Sequence, residues 1–580
     1  MCGIAGVIGR ADARERVAQM ILAQTHRGPD GAGIFAANPE TALGHARLAI
    51  LDLSPAGAQP MTSRDGRWTM VCNGELFNHR DLRTELGSRL NPGPWRSSGD
   101  TEVLLEACAE WGVERALDRS IGMFAFALWD AREGEMTLAR DRIGEKPLVY
   151  SEYAGTLVFA SELKALRDLH GGYLDPAAMD VYLALGYVPA PLTIFRNIRK
   201  LPAGHWLRWK NGLSTVRRWW FPERSRPLLP PTPGGRREEA RSLIGDAVGL
   251  RLRSDVPVAL ALSGGVDSTV IAAEAARRDV QTDAFTVIAG GDETDLPYAQ
   301  AAARKYGLRH EVLRAPEASA RQRVVDAAEH FDEPFADSSA LASLELARSL
   351  AGRYKVILNG DGGDEAFGGY RHYVRIALKQ AVKAAAAGVG MLDGSGATGV
   401  YVESKVTFRE AERERLTGGE AGALSRWLWA DELLGASPGG GALKHALWTD
   451  RHLGLANGLT HKMDIAMGAY GLEGRSPFLD HRILEWTLQL PAHDLVRGAE
   501  KKILLREAYG GELPPEIATR PKHGFGAPVK DWLAGPLQEM AQDLLPCPLL
   551  APELQAHARG QRLWTLLTLA QWARRWYAKC

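Results

Sequence analysis

The sequence predicts two domains of different class. The first is a layered α+β half; the second is an α/β half with a parallel sheet and a helical C-terminal part. Three observations carry this reading. A proline-rich break, "FPERSRPLLPPTPGGRREEA" from Phe221, places five prolines and two glycines between Pro222 and Gly235. Such a stretch cannot continue a helix or sit in a central strand, so it divides the chain into 1–221, a linker at 222–235, and 236–580. Before the break, short β-type runs with turn-rich borders dominate; after it, apolar strands alternate with helices.

Taken in order, the first-half strands are "WTMVCNGELF", "GMFAFALWD", "EMTLARD", "PLVYSEY", "TLVFAS" and "HWLRWK", with helices such as "DTEVLLEACAEWG" between them. In the second half "DVPVALAL" leads into "VDSTVIAAEAARR", and "TDAFTVIA" leads into "LPYAQAAARKYG". Continuous apolar strands of this kind belong to a sheet covered on both faces. From about residue 405 helical stretches predominate, and "KQAVKAAAAGVGMLDGSGATG" near residue 390 reads as a helix end and loop. A chain of 580 residues is too long for one core, in keeping with this division.

Composition excludes several functions. Lys plus Arg and Asp plus Glu both total 70, so no charge excess points to nucleic acid or an anionic membrane. The five cysteines, Cys2, Cys72, Cys108, Cys547 and Cys580, are scattered and show no CxxC. They read neither as a disulfide framework nor as a zinc site, and suggest a reducing cytoplasm. No apolar run approaches the roughly 20 residues of a membrane span, and no signal segment opens the chain. Cys2, in "MCGIAG", is then a chance residue, a small buried hydrophobe or a nucleophile; lipid attachment would need a signal segment upstream.

"LSGGVDST" (Leu262–Thr269) falls where a buried strand turns into a helix. Two glycines allow close backbone approach, and the helix N-terminus offers unpaired N–H groups to an anion. It lacks the lysine of a P-loop. A glycine-rich turn without a ligand is the alternative. "NGDGGDEAFGGYRHY" (Asn359–Tyr373) sets Asp361, Asp364 and Glu365 among five glycines after the strand "YKVILNG". Ligands bind at the carboxyl ends of parallel strands, although an isolated acidic turn would look similar. "EKKILLREAY" adds Lys501, Lys502 and Arg506, cations suited to pyrophosphate or to a solvated helix face. "GRSPFLDHR" (Gly474–Arg482) reads as a turn that seats a helix.

"MCGIAG", "THRGPDG", "GHARLAILDL", "CNGELFNH", "SSGDTE" and "ARDRIGEKPL" together resemble the class II glutamine amidotransferase domain. With "LSGGVDST", "NGDGGDE", "GRSPFLDHR" and "KILLREAYGGELPPEI" in order, the whole chain resembles the glutamine-dependent asparagine synthetase family. The resemblance implies an αββα N-terminal-nucleophile fold joined to an α/β adenine-nucleotide domain. It also implies that Met1 is removed and that the free α-amino group of Cys2 activates its thiol against the glutamine amide. Asn73 and the Gly74 N–H match the oxyanion hole. Arg47 matches the partner of the substrate carboxylate, Glu75 and Asp100 hold its ammonium, and Leu48, Ala49, Ile50 and Leu51 complete the glutamine pocket. His26 and Arg27 are scaffold.

In the second domain the resemblance implies that ATP and a carboxylate form an acyl-adenylate with loss of pyrophosphate. Ser263, Gly264, Gly265, Asp267, Ser268 and Lys502 match the pyrophosphate site. Leu262, Val287, Asn359 and Gly360 match positions that meet ATP, and Asp267 and Asp364 would share Mg²⁺. Asp361 stands where many relatives carry Glu, at a position linked to adenylate formation. Ammonia would travel inside the protein from one site to the other, and the family suggests a homodimer. Aspartate is the leading acceptor. "FDEPFADSSA" (Phe331–Ala340), with Pro334, Phe335 and Asp337, also occurs in relatives that amidate sugar acids, peptides and other carboxylates, so a different acceptor is the alternative. A silent sensor is disfavoured, because Cys2, Asp267 and Lys502 are all present.

Overall fold

The computed structural model describes the chain except residues 88–94, 170–172, 223–227, 281, 290, 317–318, 379–400, 419–421, 425–440, 522–523, 525, 556 and 578–580. The helix end and loop expected near residue 390 therefore lie outside the described residues, as does the middle of the linker.

Two antiparallel six-stranded sheets form the first half. One runs β10 (Arg199–Lys200), β8 (Val149–Tyr153), β9 (Thr156–Ala160), β1 (Gly3–Ile8), β3 (Thr41–Arg47), β2 (Gly31–Asn38). The other runs β12 (Leu213–Arg218), β11 (His205–Lys210), β7 (Glu135–Arg140), β6 (Gly122–Asp130), β5 (Trp68–Leu76), β4 (Met61–Thr62). The two-residue period of "GMFAFALWD" decides how β6 packs. Phe124, Phe126 and Leu128 join the core under helix α2 (Thr101–Trp111), whereas Ala125, Ala127 and Trp129 face the core between the sheets. In β1, Ile4 and Ile8 enter that inter-sheet core, while Ala5 and Val7 pack with helix α1 (Ala13–Leu22). The layers are thus helix, sheet, sheet, helix, as expected.

Helix α3 (Pro233–Arg251) begins inside the stretch expected to be linker. Thr232 caps it, its side chain accepting from the Gly235 N–H at 3.1 Å. Proline is tolerated in a first helical turn because its missing N–H would be unpaired there anyway. The glycines that follow simply continue that turn.

The second half carries a five-stranded parallel sheet, ordered β15 (His310–Ala315), β14 (Asp283–Ala289), β13 (Val258–Ala261), β16 (Val356–Leu358), β17 (Glu473–Arg475). Both faces are covered. Val258, Leu260, Val356 and Leu358 enter one core, and Ala259 and Ile357 the other. Helices α4 (Val266–Ala276), α5 (Leu296–Tyr306) and α6 (Ser339–Leu350) flank the sheet. Strand order reverses between the neighbours β13 and β16, and a crevice opens at such a switch point, beyond the strands' carboxyl ends. Both glycine-rich motifs lie there. The short helix α7 (Gly363–Phe367) follows β16. A nine-residue π-helix (Arg451–Leu459) runs into α8 (Thr460–Gly468); α9 (Ile503–Tyr509) and α10 (Gln561–Trp576) come later.

The halves are not independent. Trp564 and Trp572 of α10 share a core with Val7 and Val17 of the first half. The Tyr182 hydroxyl donates to the Thr565 carbonyl at 2.8 Å.

Candidate active sites

Cys2 precedes β1, whose pairing with β3 brings the thiol to the end of that strand. Leu48 N–H donates to Cys2 Sγ at 3.4 Å. Burial pushes the thiol's pKa up. Met1 lies wholly inside: its amino group donates to the Leu472 carbonyl at 3.1 Å, and burial lowers that amine to about 5. Its sulfur lies 2.8 Å from Lys146 Nζ. Arg27 donates from Nε to the Cys2 carbonyl at 2.9 Å and pairs with Glu162 and Asp464 at 2.8 and 2.7 Å. His26 meets the same Glu162 at 2.9 Å.

Asn73 sits on β5 with Val71, on the face toward the first sheet. It is fully buried, yet neither Oδ1 nor Nδ2 has a hydrogen-bond partner. Buried amide atoms rarely go unpaired, so this pair stands ready for a ligand. Gly74 follows at φ +143°, where a Cβ would lie 2.0 Å from the Met123 carbonyl oxygen. Glu75 and Asp100 are both buried, and both are pushed up by that burial; for Glu75 the charge of Asp100 adds to it. Two adjacent buried carboxylates make a site that a substrate ammonium would relieve. Arg47 donates to the carbonyls of Ser54, at 3.0 Å, and Asp52, bracing the turn beside the pocket. Leu48, Ala49 and Ile50 are buried, and Leu51 is partly so. Ala49 N–H donates to Asp30 at 2.7 Å.

At the switch point a cavity of about 210 Å³ is lined by Leu262, Ser263, Gly265, Asp267, Ser268, Val287, Asn359, Gly360, Asp361, Asp364 and Lys502. Gly264 is absent from that lining. It stands at φ +66°, where a Cβ would lie 2.5 Å from the Ala299 nitrogen, so its role is to let the loop close onto α5. Lys502 Nζ meets Asp267 at 2.5 Å and Asp364 at 2.6 Å, and these two charges hold it protonated against burial. Gly369 makes this arrangement possible, because a Cβ there would lie 1.8 Å from Asp364 Oδ1 and 2.2 Å from Lys502 Cε. Asn359 Oδ1 accepts from the Asp361 N–H at 3.0 Å. Lys501 and Arg506 also line the cavity.

Sequence reasoning missed three cations. Arg520 Nη1 donates to the Gly264 carbonyl at 2.9 Å and stacks 3.9 Å over Tyr298. Lys462, buried in the cavity wall, donates to Ser339 Oγ at 3.1 Å and forms no ion pair among the described residues. Arg475 pairs with Glu473 at 2.8 Å and reaches across to Glu75 at 3.1 Å. It belongs to "GRSPFLDHR", which does seat a helix: Asp480 accepts from the Arg482 N–H at 3.1 Å. The same motif also ties Glu75 of β5 to β17. In "FDEPFADSSA", Phe331 and Phe335 stack at 4.7 Å and Asp337 accepts from Ser339.

A smaller cavity, about 10 Å³, touches Met1, Lys146, Met463, Asp464, Ser476 and Asp361. It therefore meets the residue before Cys2 on one side and the acid loop on the other.

Residues 1–220 match the glutamine amidotransferase domain, and residues 239–576 match asparagine synthase. The chain belongs to the asparagine synthase family. A Mycobacterium tuberculosis protein named as a glutamine-hydrolysing asparagine synthetase is 32% identical, over 98% of this chain and 95% of that protein. The Bacillus subtilis glutamine-hydrolysing asparagine synthetase 1 is 29% identical, over 94% and 90%. Escherichia coli asparagine synthetase B, also glutamine-hydrolysing, is 29% identical, over 93% and 85%. As a member of the asparagine synthase family, the chain is a glutamine-dependent, ATP-using carbon–nitrogen ligase. No helix among its described residues is long and apolar enough to cross a membrane.

Proposed function

We propose that the protein makes asparagine from aspartate, ATP and glutamine. Once Met1 is removed, the α-amino group of Cys2 takes the thiol proton and the sulfur attacks the glutamine side-chain carbonyl carbon. The carbon–nitrogen bond breaks, ammonia leaves with the proton, and water later hydrolyses the glutamyl thioester to glutamate. The unpartnered Asn73 amide and the Gly74 N–H receive the oxyanion. Glu75 and Asp100 hold the substrate ammonium, and Arg47 its carboxylate.

In the second site the aspartate side-chain carboxylate attacks the α-phosphorus of ATP and pyrophosphate leaves. Ser263, Gly265, Ser268 and the start of α4 receive pyrophosphate, with Lys502 balancing its charge. Leu262, Val287 and Gly360 border adenosine. Asp267 and Asp364 fit Mg²⁺, which takes one or two carboxylates together with phosphate oxygens; it would neutralise the phosphate charge. Ammonia then attacks the acyl carbon, and AMP departs. The small cavity between Met1 and Asp361 supports an internal route, since its volume suits one water-sized molecule.

The observation that carries aspartate is Lys462. A buried cation with only a hydroxyl partner lines the nucleotide cavity, where the acceptor's second carboxylate would complete an ion pair. Purified enzyme with glutamine, ATP and Mg²⁺, offered a panel of carboxylates, should release pyrophosphate and AMP only with aspartate. Release of ADP, or pyrophosphate formation indifferent to aspartate, would overturn the reading.

A further inference from the structure

The glycine pair of "LSGGVDST" sets a mechanical problem. A peptide flanked by two glycines can turn over at little steric cost, because neither residue carries a Cβ to hold it. The Gly264–Gly265 peptide is trans, so its C=O and N–H point in opposite directions. The way the carbonyl faces therefore decides the way the amide faces. Here Gly265 lines the nucleotide cavity and Gly264 does not. The Gly265 N–H reaches Ser263 Oγ, in the cavity wall, across a long 3.4 Å. On the other side the Gly264 carbonyl accepts from Arg520 Nη1 at 2.9 Å.

Arg520 is itself fixed from several directions. Nη1 lies 3.5 Å from the Ser263 carbonyl, Nη2 donates to Asp295, and the guanidinium stacks 3.9 Å over Tyr298. Asp295 and Tyr298 stand at the start of α5, onto which Gly264 closes: a Cβ on Gly264 would lie 2.6 Å from Tyr298 Cβ. The arginine is held from behind as well. It follows the short helix Pro515–Ala518, and Arg506 of α9 donates to its carbonyl at 2.9 Å and to that of Ala518. Helix α9 begins directly after Lys502. Asp295 already meets the charge of Arg520. What the side chain adds is geometry, because its planar fork aims several donors in fixed directions.

We propose that Arg520 is a positioning residue for pyrophosphate. By holding the Gly264 carbonyl away from the cavity, it presents the Gly265 N–H to a phosphate oxygen, beside the N–H groups that open α4. The inference rests on the reading of this cavity as the pyrophosphate site, and adds what keeps the loop's amide turned inward. Arg506 couples that hold to α9, so Lys502 and the Gly265 N–H meet the same anion from one braced unit.

Pyrophosphate with Mg²⁺, and separately AMP, are titrated into the full-length enzyme by isothermal calorimetry, without turnover. Arg520→Gln should weaken pyrophosphate binding at least about tenfold, the worth of one hydrogen bond to a charged group, and change AMP binding less than about twofold. Tyr298→Leu removes the ring under the guanidinium but keeps a Cβ against Gly264. It should weaken pyrophosphate by about threefold, and it decides the matter if thermal melts show that the first variant does not fold. The ratio between Arg520→Gln and the unchanged enzyme should hold between about 0.05 and about 0.5 M KCl, since salt screens charges and not hydrogen-bond geometry. Equal weakening of pyrophosphate and AMP, no weakening of either, or a ratio that collapses with salt would overturn the role and leave the pyrophosphate site standing. If the unchanged enzyme binds no pyrophosphate, the reading of the cavity falls together with the role.

Discussion

Asn73 keeps two amide atoms buried and unpaired at the end of an ordered strand, next to a glycine that no other residue could replace. Its truncation should cost little stability, because no hydrogen bond is lost. Asn73→Ala should nevertheless lower kcat for glutamate release by about 10²–10³-fold; a change under about threefold would remove it from the reaction. Lys462 makes the complementary prediction in the second site. Lys462→Ala should raise KM for aspartate by roughly 10–100-fold, the worth of a charged hydrogen bond, while KM for ATP stays put. Glu365 tests the local electrostatics. Burial, with Asp450 and Asp364 next in effect, raises it to about 7. A carboxyl raised in the folded state costs no stability at low pH, and its penalty grows as pH climbs from its ordinary value through about 7. Glu365→Gln should therefore raise Tm at pH 8 and leave it nearly unchanged at pH 4, in paired thermal melts. The motifs around Cys2, Asn73 and Lys502 mark them in the sequence as candidates. Lys462 and Arg475 are not so marked, since their meaning comes from neighbours 123 residues away at Ser339 and 400 away at Glu75.

At the scale of elements, the decisive unit is the pair of strand–loop–helix turns at the switch point. Their glycines serve packing more than flexibility, and Gly369 shows it most directly. Gly369→Ala would drive a methyl into Asp364 and Lys502. It should lower pyrophosphate release by about 10²-fold, as misplacement of catalytic groups by about an ångström does, and leave glutamine hydrolysis intact. Equal loss of both reactions would mean that the glycine serves the fold instead. Strand patterns such as "GMFAFALWD" were readable because a period of two separates two cores chemically, aromatic rings on one side and mostly alanines on the other. The start of α3 was misread because proline and glycine signal a break equally well before a helix and within its first turn. The π-helix left no trace in composition, since it is a change of hydrogen-bond register and not of residue type.

For the whole molecule, the question is how two active sites act as one enzyme. Arg475 is the clearest physical link, buried between Glu473 of the parallel sheet and Glu75 of β5. Lys355 adds a second link by pairing with Asp30 at 2.8 Å. Arg475→Ala strands two buried carboxylates and should cost about 3–5 kcal/mol in denaturant unfolding. A loss below about 1 kcal/mol would show that the link carries little. The central claim is that ammonia released at Cys2 reaches the second site without entering solvent. It is tested most directly by giving the enzyme glutamine labelled with nitrogen-15 in its amide, ATP, Mg²⁺ and aspartate, in a large excess of unlabelled ammonium, and weighing the asparagine by mass spectrometry. Internal transfer predicts product carrying nitrogen-15 almost throughout; asparagine matching the isotope ratio of the solution would contradict it.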